Sequence, residues 1–471
     1  MEDTRLAKGV LGIKEAYGQA MAVTAPLGSV VSTTTAAIAY AGGSVVLATL
    51  LALGASALWM FTLTLYSKRI ASAGGFYSFS SAAWGSKTIS FFEALIEVFA
   101  YVALNGVNVI STISIAEIAF GMMNLSIPSY CLWLIGAVAL IYPTIISLTH
   151  VRKVLGYVVT ISSTAEVVVL FVLFGLSVYF KGLTLSYLVP THVSLGQMAT
   201  AFILSLVSIS GSGTATYLGE ESKRPTKSIT LGMWMATCIG GLAMLLGTYG
   251  LVSLWGGDLS SLASANQPLF QEMARFGTIA FSVTALLAVN SLLASNIGTT
   301  VSAARILFNV AREGGAPKFL RKLNSSLEPI WATLFTGGLT GVLTLPSMAF
   351  QGSQVAMEDV GVIASIFWIA GRIVDSIGAP LFLYRIGSLN IMALLIPLVA
   401  SGVNIWGLGY SVLGLTFAQR LMISAILLIS IAWYAAFGRR SMVGNIVVNE
   451  EGELSTREEV IKKLKEINAV S

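Results

Sequence analysis

The stretch AMAVTAPLGSVVSTTT, residues 20–35, lies in an apolar run long enough to cross a membrane, yet it holds Pro26 and Gly28 near its middle. Proline removes a backbone donor and clashes with the preceding turn, so a helix should break there. An unpaired backbone group in hydrocarbon costs several kcal/mol, so a break is tolerated only where protein buries it or a cavity adjoins it. The stretch therefore predicts a broken helix in a helical membrane protein.

The composition of the whole chain also indicates a membrane protein. Of its 471 residues, 55% are hydrophobic and 10% are charged, and the mean hydropathy is +0.82. Soluble proteins carry roughly 25% charged residues, so a water-facing exterior of this composition would expose large apolar patches. The net charge of +5 is modest and indicates loop orientation rather than nucleic-acid binding. Cys131 and Cys238 form neither a disulfide framework nor a metal-binding spacing.

Twelve apolar stretches are long enough to cross about 30 Å of hydrocarbon, the first over residues 16–40. Lysine and arginine concentrate in alternate loops, beginning with Lys68 and Arg69, and the positive-inside rule then places both termini in the cytoplasm. We expect residues 1–15 to be a cytosolic N-terminus and residues 439–471 a solvated cytosolic tail with a short helix. The protein is thus predicted to be a multi-pass protein of the plasma membrane, surrounded by lipid.

A second irregular stretch, LSLVSISGSGTATYL at residues 204–218, gathers serine and glycine in the sixth span. Five spans separate the two stretches, which is typical of a five-plus-five inverted repeat that holds its substrate between two broken helices. The predicted fold is all-α with twelve transmembrane helices. The first repeat covers residues 16–180, the second covers 196–385, and two accessory helices cover 388–437. Small-residue faces for helix packing are the alternative explanation of both stretches.

Three loop segments carry a resemblance to a known family. They are SKRIASAGGFYSFSSAAWG at 67–85, YLGEESKRPTKSI at 217–229 and AARILFNVAREGGAPKFLRKLNSSLEP at 303–329. In this order they resemble the amino acid-polyamine-organocation (APC) superfamily of secondary transporters, and the resemblance covers residues 8–440. The opening VTAPLGSVVS is similar to a prokaryotic amino acid permease subgroup. The resemblance implies alternating access, and it gives gating or structural roles to Gly74, Gly75, Glu220 and Glu221.

The two breaks predict a site that holds an amino acid by the main chain. Amides at the first break can donate to a carboxylate, and carbonyls at the sixth-span break can accept from an ammonium group. The candidate substrate-binding residues are Ala25, Pro26, Leu27, Gly28, Ser29, Val30, Tyr101, Val207, Ser208, Ile209, Ser210, Gly211 and Ser212.

The sixth-span motif departs from the family pattern. Family members often carry a bulky aromatic residue and an acid where this chain has Ile209 to Gly213. Either a larger substrate fills that volume or an aromatic residue from another helix covers it. The missing acid also argues against a strongly cationic substrate. The candidate aromatic residues are Tyr101, Phe202, Phe281 and Trp368.

Charged residues inside the predicted spans form a further set of candidates. Arg372 and Asp375 lie three residues apart in the tenth span, either as a static pair or as a gate that breaks during transport. Glu93 and Glu97 share a helical face near the cytosolic end of the third span. We expect them to form a salt bridge with a cation of that end. The expected partners are Lys68 and Arg152.

Glu166 lies near the middle of the fifth span, where related transporters commonly carry a lysine. Three interpretations are open. A buried carboxyl without a cationic partner could load and release a proton and so couple transport to it. Oxygens of Thr299, Ser302 or the first span could instead complete a sodium site with it. The third interpretation is a local hydrogen bond, to Ser162 or Ser163, with no part in coupling.

The predicted function is secondary active transport of amino acids by alternating access, with proton coupling as one mode. The chain lacks a zinc-binding pair of histidines and a Gly-x-x-x-x-Gly-Lys-[Ser/Thr] phosphate loop, so we expect neither an enzyme nor a nucleotide-driven pump, and no cofactor. The alternatives are sodium-coupled or exchange transport of amines, polyamines or other small organic solutes, and more remotely a channel. A monomer or a homodimer is expected.

Overall fold

A computed structural model describes residues 5–122, 126–149, 151–255, 259–265, 267–449 and 452–470, and nearly all of them are helical. The α-helices are α1 (Ile13–Thr24), α2 (Pro26–Val31), α3 (Thr33–Ala41), α4 (Val45–Ser67), α5 (Phe76–Trp84), α6 (Lys87–Met122), α7 (Ser129–Ile146), α8 (Val151–Lys153), α9 (Thr160–Lys181), α10 (Leu195–Ile209), α11 (Pro225–Leu254), α12 (Leu259–Ala263), α13 (Pro268–Arg275), α14 (Thr278–Arg312), α15 (Ile330–Gln351), α16 (Ser353–Arg385), α17 (Ile391–Leu413), α18 (Phe417–Ala436) and α19 (Arg457–Val470). A π-helical turn, Val154–Val159, precedes α9. The 3-10 helices are Gly42–Ser44, Ser186–Leu188, Ser210–Glu221, Lys318–Arg321 and Gly438–Arg440. The two strands are β1 (Ile446–Val448) and β2 (Leu454–Thr456).

Eleven helical runs in the described part of the chain are long and apolar enough to cross a membrane, which fits a polytopic membrane protein. The predicted first span falls on α1, α2 and α3, which have 12, 6 and 9 residues and are each too short to cross alone. The chain from α3 through α4 instead forms one helical run, Thr33–Ser67. The count of twelve spans stays a prediction.

The bundle has an inner and an outer layer of helices. The apolar parts of α6 and of the run Leu195–Glu221 are entirely buried, whereas α7 and α18 present most of their surface outward. Around the centre, α6 packs against α14, α15 and α16, and α1 packs against α11, α14 and the 3-10 helix Ser210–Glu221. The exposed side chains of the outer helices are largely leucine, isoleucine, valine and aromatic residues, which suits contact with lipid.

The chain leaves the α-helical conformation between α1 and α2. Ala25 has φ 39° and ψ 67°, in the left-handed region that residues with a β-carbon rarely adopt. Pro26 follows as the first residue of α2. Proline is suited to this position because the amide of the first helical residue has no partner within the helix. The Ala25 amide still donates to the carbonyl of Met21 at 2.7 Å and closes α1. The change of direction arises here because proline cannot continue the hydrogen-bond ladder of α1.

The serine- and glycine-rich stretch of the sixth span behaves differently. α10 passes directly into the 3-10 helix Ser210–Glu221, which we call the 3-10 segment, and every one of its residues is buried. A β-carbon on Gly211 would lie 2.8 Å from the carbonyl carbon of Val23 and 2.9 Å from the amide nitrogen of Thr24. Glycine therefore lets the backbone of the 3-10 segment touch the backbone at the end of α1.

The segment after α18 packs onto one end of the bundle. β1 pairs with β2 in antiparallel register, and the amide of Val448 donates to the carbonyl of Ala71 at 2.7 Å. Near the end of α19, Asn468 Nδ2 donates to the carbonyl of Ile386 at 2.8 Å. The expectation of a solvated tail is wrong for this part, because Val447 and Val448 bury apolar side chains. We call this end of the bundle the tail face and residues 441–470 the tail.

Candidate substrate and coupling site

Two backbone amides at the start of α2 bond to side chains of other helices. The Leu27 amide donates to Glu166 Oε2 at 3.4 Å, and the Gly28 amide donates to Ser291 Oγ at 2.9 Å. Ser291 Oγ in turn donates to the same Glu166 oxygen at 2.5 Å. These amides have no partner within α2, because the first amides of a helix have no carbonyl behind them. The Glu166 carboxyl thus occupies the place where the sequence predicts a substrate carboxylate.

Glu166 is 2% exposed and its hydrogen bonds differ from the predicted local ones. Ser162 Oγ donates to the carbonyl of Val159 at 3.3 Å, and Ser163 Oγ donates to that of Thr160 at 3.2 Å. Both serines therefore bond to the preceding turn of their own helix, as serine hydroxyls in helices commonly do. The prediction that one of them holds Glu166 is wrong, since the hydroxyl that does so belongs to Ser291 of α14.

Thr299 and Ser302, the candidates for a sodium site, are buried in α14 and bond elsewhere. The Thr299 hydroxyl bonds to Asn105 of α6. Ser302 Oγ donates to the carbonyl of Gly298 at 3.0 Å and accepts from Gln19 Nε2 at 3.0 Å. The two side chains join α14 to α6 and α1, and their part in ion coupling stays a prediction.

The remaining candidates at the first break are buried. Ser29 Oγ donates to the carbonyl of Thr24 at 2.7 Å, so it crosses the interruption between α1 and α2. The Ser29 amide donates to the carbonyl of Ala25 at 2.7 Å. Val30 is fully buried. These bonds stabilise the interruption, because they pair groups that a broken helix would leave without partners.

Hydroxyl groups of the sixth span bond to neighbouring helices. Ser208 Oγ lies 2.5 Å from Thr33 Oγ1 of α3, and Ser212 Oγ lies 2.6 Å from Thr237 Oγ1 of α11. Ser210 Oγ accepts a hydrogen bond from the indole Nε1 of Trp368, which belongs to α16. The candidates without a hydroxyl, Val207, Ile209 and Gly211, are buried between these contacts.

Two of the four candidate aromatic residues adjoin the 3-10 segment. Trp368 Nε1 donates to Ser210 Oγ at 2.7 Å. The ring of Tyr101 meets Trp368 edge-on, with centroids 5.0 Å apart, and its hydroxyl donates to Tyr217 Oη at 3.2 Å. The two others contact different aromatic partners, Phe202 in a tilted arrangement and Phe281 edge-on. The partners are Trp406 for Phe202 and Phe270 for Phe281.

Arg372 does not pair with Asp375, although the spacing predicts that it would. Its Nη1 lies 3.6 Å from Glu97 Oε1 and donates to the carbonyl of Trp368 at 2.5 Å. The guanidinium also lies 4.0 Å from the centroid of the Trp368 ring, a cation–π contact. The static pair is not formed because the side chain extends back along α16 towards the preceding turn, as helical side chains usually do. A gate that breaks and re-forms during transport stays a prediction.

Lys68, one of the two predicted partners of Glu93 and Glu97, does not pair with either of them. Glu97 pairs with Arg372, whereas Lys68 is exposed at the end of α4. Glu93 adjoins Asp375 of α16. The side chain of the other predicted partner, Arg152, lies outside the described residues. Both glutamates face the protein interior because α6 is central in the bundle.

Motif acids at the tail face bind arginines of α14. Arg312 reaches both carboxylate oxygens of Glu220, at 3.0 and 2.8 Å. Arg305 donates to both oxygens of Glu221, at 2.6 and 2.9 Å, and to Glu328 Oε2 at 3.2 Å. Bidentate pairs of this kind are short and strong. They tie the end of the 3-10 segment to α14.

The motif glycines Gly74 and Gly75 allow a close approach at the same face. Gly75 has φ 54°, which favours glycine. A β-carbon there would lie 2.4 Å from the ring of Tyr217. One on Gly74 would lie 2.4 Å from Ser78 Oγ. The loop after α4 therefore packs directly on the 3-10 segment.

Glu313, which follows α14, holds the tail in place. Its carboxylate accepts from the amides of Gly444 and Ile446 at 2.9 and 2.7 Å and from Tyr77 Oη at 3.1 Å. Burial raises the pKa of Glu313 to about 7, against the lowering effect of these amides, of Arg312 and of Tyr77. Burial thus favours a protonated Glu313 in the docked state, although the two tail amides by themselves favour the carboxylate.

We expect docking of the tail to weaken as pH rises through about 7. The pKa of Glu313 is raised from 4.5 to about 7 in the docked state, so its contribution is fully present below pH 4.5 and is lost as pH passes the docked value. Hydrogen exchange of residues 441–470, corrected for intrinsic rates, should show less protection at pH 8.5 than at pH 6. Glu313→Gln should flatten this profile, and an equally steep profile in that variant would contradict the assignment.

Comparison with known proteins identifies a family whose sequence model this chain matches. The sequence model of the family described as amino acid permease matches residues 19–441. The low-affinity putrescine importer PlaP of two Escherichia coli strains is 25% identical over 385 residues, covering 76% of this chain and 82% of that protein. An uncharacterized amino-acid permease of Schizosaccharomyces pombe is 25% identical over 195 residues, covering 38% of this chain and 35% of that protein. The family match includes the site and excludes most of the tail.

Proposed function

Because this chain belongs to the amino acid permease family, we propose that it is a secondary active transporter that moves amino acids by alternating access. Its family and its relatives are those of a membrane transporter of the APC superfamily and not of an enzyme. One observation supports the proposed substrate site and alternating access. The backbone at the end of α1, next to the interruption at Ala25, directly contacts the 3-10 segment at Gly211. Two irregular helices that touch at the centre of a bundle are where such transporters bind substrate.

The proposed architecture is the five-plus-five inverted repeat with two accessory helices, twelve spans in all. Its first and sixth spans contain the interruption at Ala25 and the 3-10 segment. In this arrangement the tail face lies in the cytoplasm together with both termini. Support comes from the Lys and Arg residues in loops at this face, such as Lys223 and Arg321.

The amides of Leu27 and Gly28 support the proposed mode of binding. They already hold oxygens of Glu166 and Ser291, so their geometry suits a carboxylate. In the proposed cycle the substrate carboxylate takes this place when the two irregular helices separate. Protonation of Glu166 would weaken its hold on the Leu27 amide, because a neutral carboxyl accepts less strongly than a carboxylate. Substrate binding and proton binding would then favour each other.

Transport of an amine or polyamine is the second candidate. The relative from Escherichia coli is a putrescine importer, and three buried acids, Glu93, Glu97 and Asp375, lie within two turns of Trp368 along α16 or opposite it on α6. An ammonium group needs such acids or aromatic faces in a buried site. Exchange and sodium coupling are further modes of transport, and the liposome experiment described next distinguishes them.

We expect purified protein in liposomes to accumulate at least one amino acid or amine when an inward proton gradient is imposed. A panel of amino acids, putrescine and longer polyamines, with a sugar and a nucleoside as controls, identifies the class. Sodium gradients and preloaded unlabelled substrate test the other modes. If no amino acid or amine is taken up under any gradient or in exchange, the proposed function is refuted.

A further inference from the structure

Four ionisable side chains from α6 and α16 are buried together, and the proposed transport of amino acids uses none of them. Glu93, Glu97 and Arg372 are each 1% exposed and Asp375 is 0% exposed. They lie between Trp368 and the tail face. We call this group the acid cluster.

The charges of the acid cluster do not balance when all four groups are ionised. Three carboxylates face one guanidinium, and among the described residues the cluster contains a single ion pair, between Arg372 and Glu97. An unpaired carboxylate in a buried site is so costly that it takes up a proton instead. Besides aromatic rings, the groups that adjoin the cluster among the described residues are uncharged hydroxyls, so they cannot supply the missing positive charge. They belong to Tyr66, Ser80, Tyr101 and Tyr217.

Full neutrality of the acid cluster would take two protons, and the geometry places one of them between two carboxyls. Glu93 and Asp375 adjoin each other where α6 packs against α16. None of their four side-chain oxygens has a donor within hydrogen-bonding geometry among the described residues. Two carboxylates repel each other, and a contact between them becomes favourable when one carries a proton and donates it to the other.

Unused hydrogen-bond donors of Arg372 are a second observation, independent of the two carboxyls. Its Nε and Nη2 have no hydrogen-bond partner in the described part of the chain, although the side chain is 1% exposed. A buried guanidinium with two unused donors is costly and is suited to receive a further carboxylate. Asp375 lies one turn along the same helix, and its carboxylate can take this role once the proton has left.

Hydrogen bonds connect the acid cluster to the 3-10 segment. Tyr217 Oη donates to Glu97 Oε2 at 3.4 Å. Arg372 bonds to the carbonyl of Trp368, whose indole bonds to Ser210. A change of partner at Arg372 would therefore act on the 3-10 segment at both Ser210 and Tyr217.

We propose that Glu93 and Asp375 form a second proton-binding site, on the tail-face side of the substrate region. With the proton bound, the two carboxyls hold α6 and α16 together and Arg372 pairs with Glu97. Loss of the proton to water at the tail face leaves a carboxylate on Asp375, which then pairs with Arg372 and separates the two helices. The coupling role rests on the proposed transport function, whereas the bound proton does not.

Infrared difference spectroscopy of purified wild-type protein tests the proton directly. We expect a protonated-carboxyl band at neutral pH that weakens in Glu93→Gln and in Asp375→Asn. Glu117→Gln, on α6 but outside the acid cluster, is the matched control and should keep the band. Equal band intensity in both cluster variants and in the control would overturn the proposal. The two single variants are nearly isosteric, so one of them suffices if the other does not fold.

Transport by the same variants tests the role of the proton. We expect Asp375→Asn to lower proton-driven accumulation at least tenfold while exchange stays within twofold of wild type. Accumulation equal to that of Glu117→Gln would overturn the coupling role. If the wild type transports no amino acid or amine, the proposed function fails, and the infrared result still decides whether the site binds a proton.

Discussion

Arg305→Met is expected to lower the free energy of unfolding by about 3–5 kcal/mol, the usual cost of removing one partner from a buried ion pair. Arg305 is 1% exposed and donates to Glu221 and Glu328 at 2.6 to 3.2 Å. Without it two buried carboxylates lose their cation. The midpoint of thermal unfolding in detergent should therefore fall far more than in Arg420→Met, which removes an exposed arginine.

A rescue experiment separates lost charge pairing from lost packing in this variant. Glu221→Gln and Glu328→Gln, added to Arg305→Met, remove the stranded charges and should restore much of the stability. Coupling of this kind is expected for residues in one network. An unfolding midpoint for Arg305→Met equal to that of Arg420→Met would show that the network contributes nothing measurable.

Glu166→Gln is expected to abolish proton-driven accumulation and to preserve substrate binding. The amide oxygen can still accept from the Leu27 amide and from Ser291, so the interruption between α1 and α2 keeps its bonds. The glutamine side chain cannot take up a proton, so the proton gradient can no longer drive transport through this residue. Uptake into liposomes should stop at the equilibrium level, and thermal stabilisation by substrate should remain.

Two further measurements make this result specific to Glu166. Glu117→Gln, a matched change in another membrane helix, should accumulate substrate like the wild type. A sodium gradient should not restore accumulation in Glu166→Gln. If Glu166→Gln accumulates substrate as well as Glu117→Gln does, Glu166 has a structural role alone.

Features that depend on local chemistry are the easiest to predict from the sequence, although a broken transmembrane helix stays a prediction. The interruption at Ala25 follows from the proline that comes next, because any helix must respond to a missing amide. The contact of α1 with the 3-10 segment at Gly211 follows less directly, since small residues suit both a break and close packing.

The partners of buried charges could not be predicted, because they depend on how helices pack. Arg372 and Asp375 have the spacing of a local pair, yet the packing of α6 against α16 brings Glu97 closer. Ser291 bonds to Glu166 across 125 positions, and nothing in the sequence distinguishes it from the other serines of α14. The family resemblance names motif residues such as Glu221 but not the arginine that binds each of them.

Most of the tail lies outside the part of the chain that matches the family, although the tail contacts residues inside that part. The family match ends at residue 441, while the contacts of Val448 with Ala71, of Gly444 and Ile446 with Glu313, and of Glu453 with Lys8 all lie beyond it or reach past it. A protein shortened or tagged after Arg440 would lack or disturb these contacts. Its turnover number would then differ from that of the protein with a docked tail, even when the substrate preference is the same.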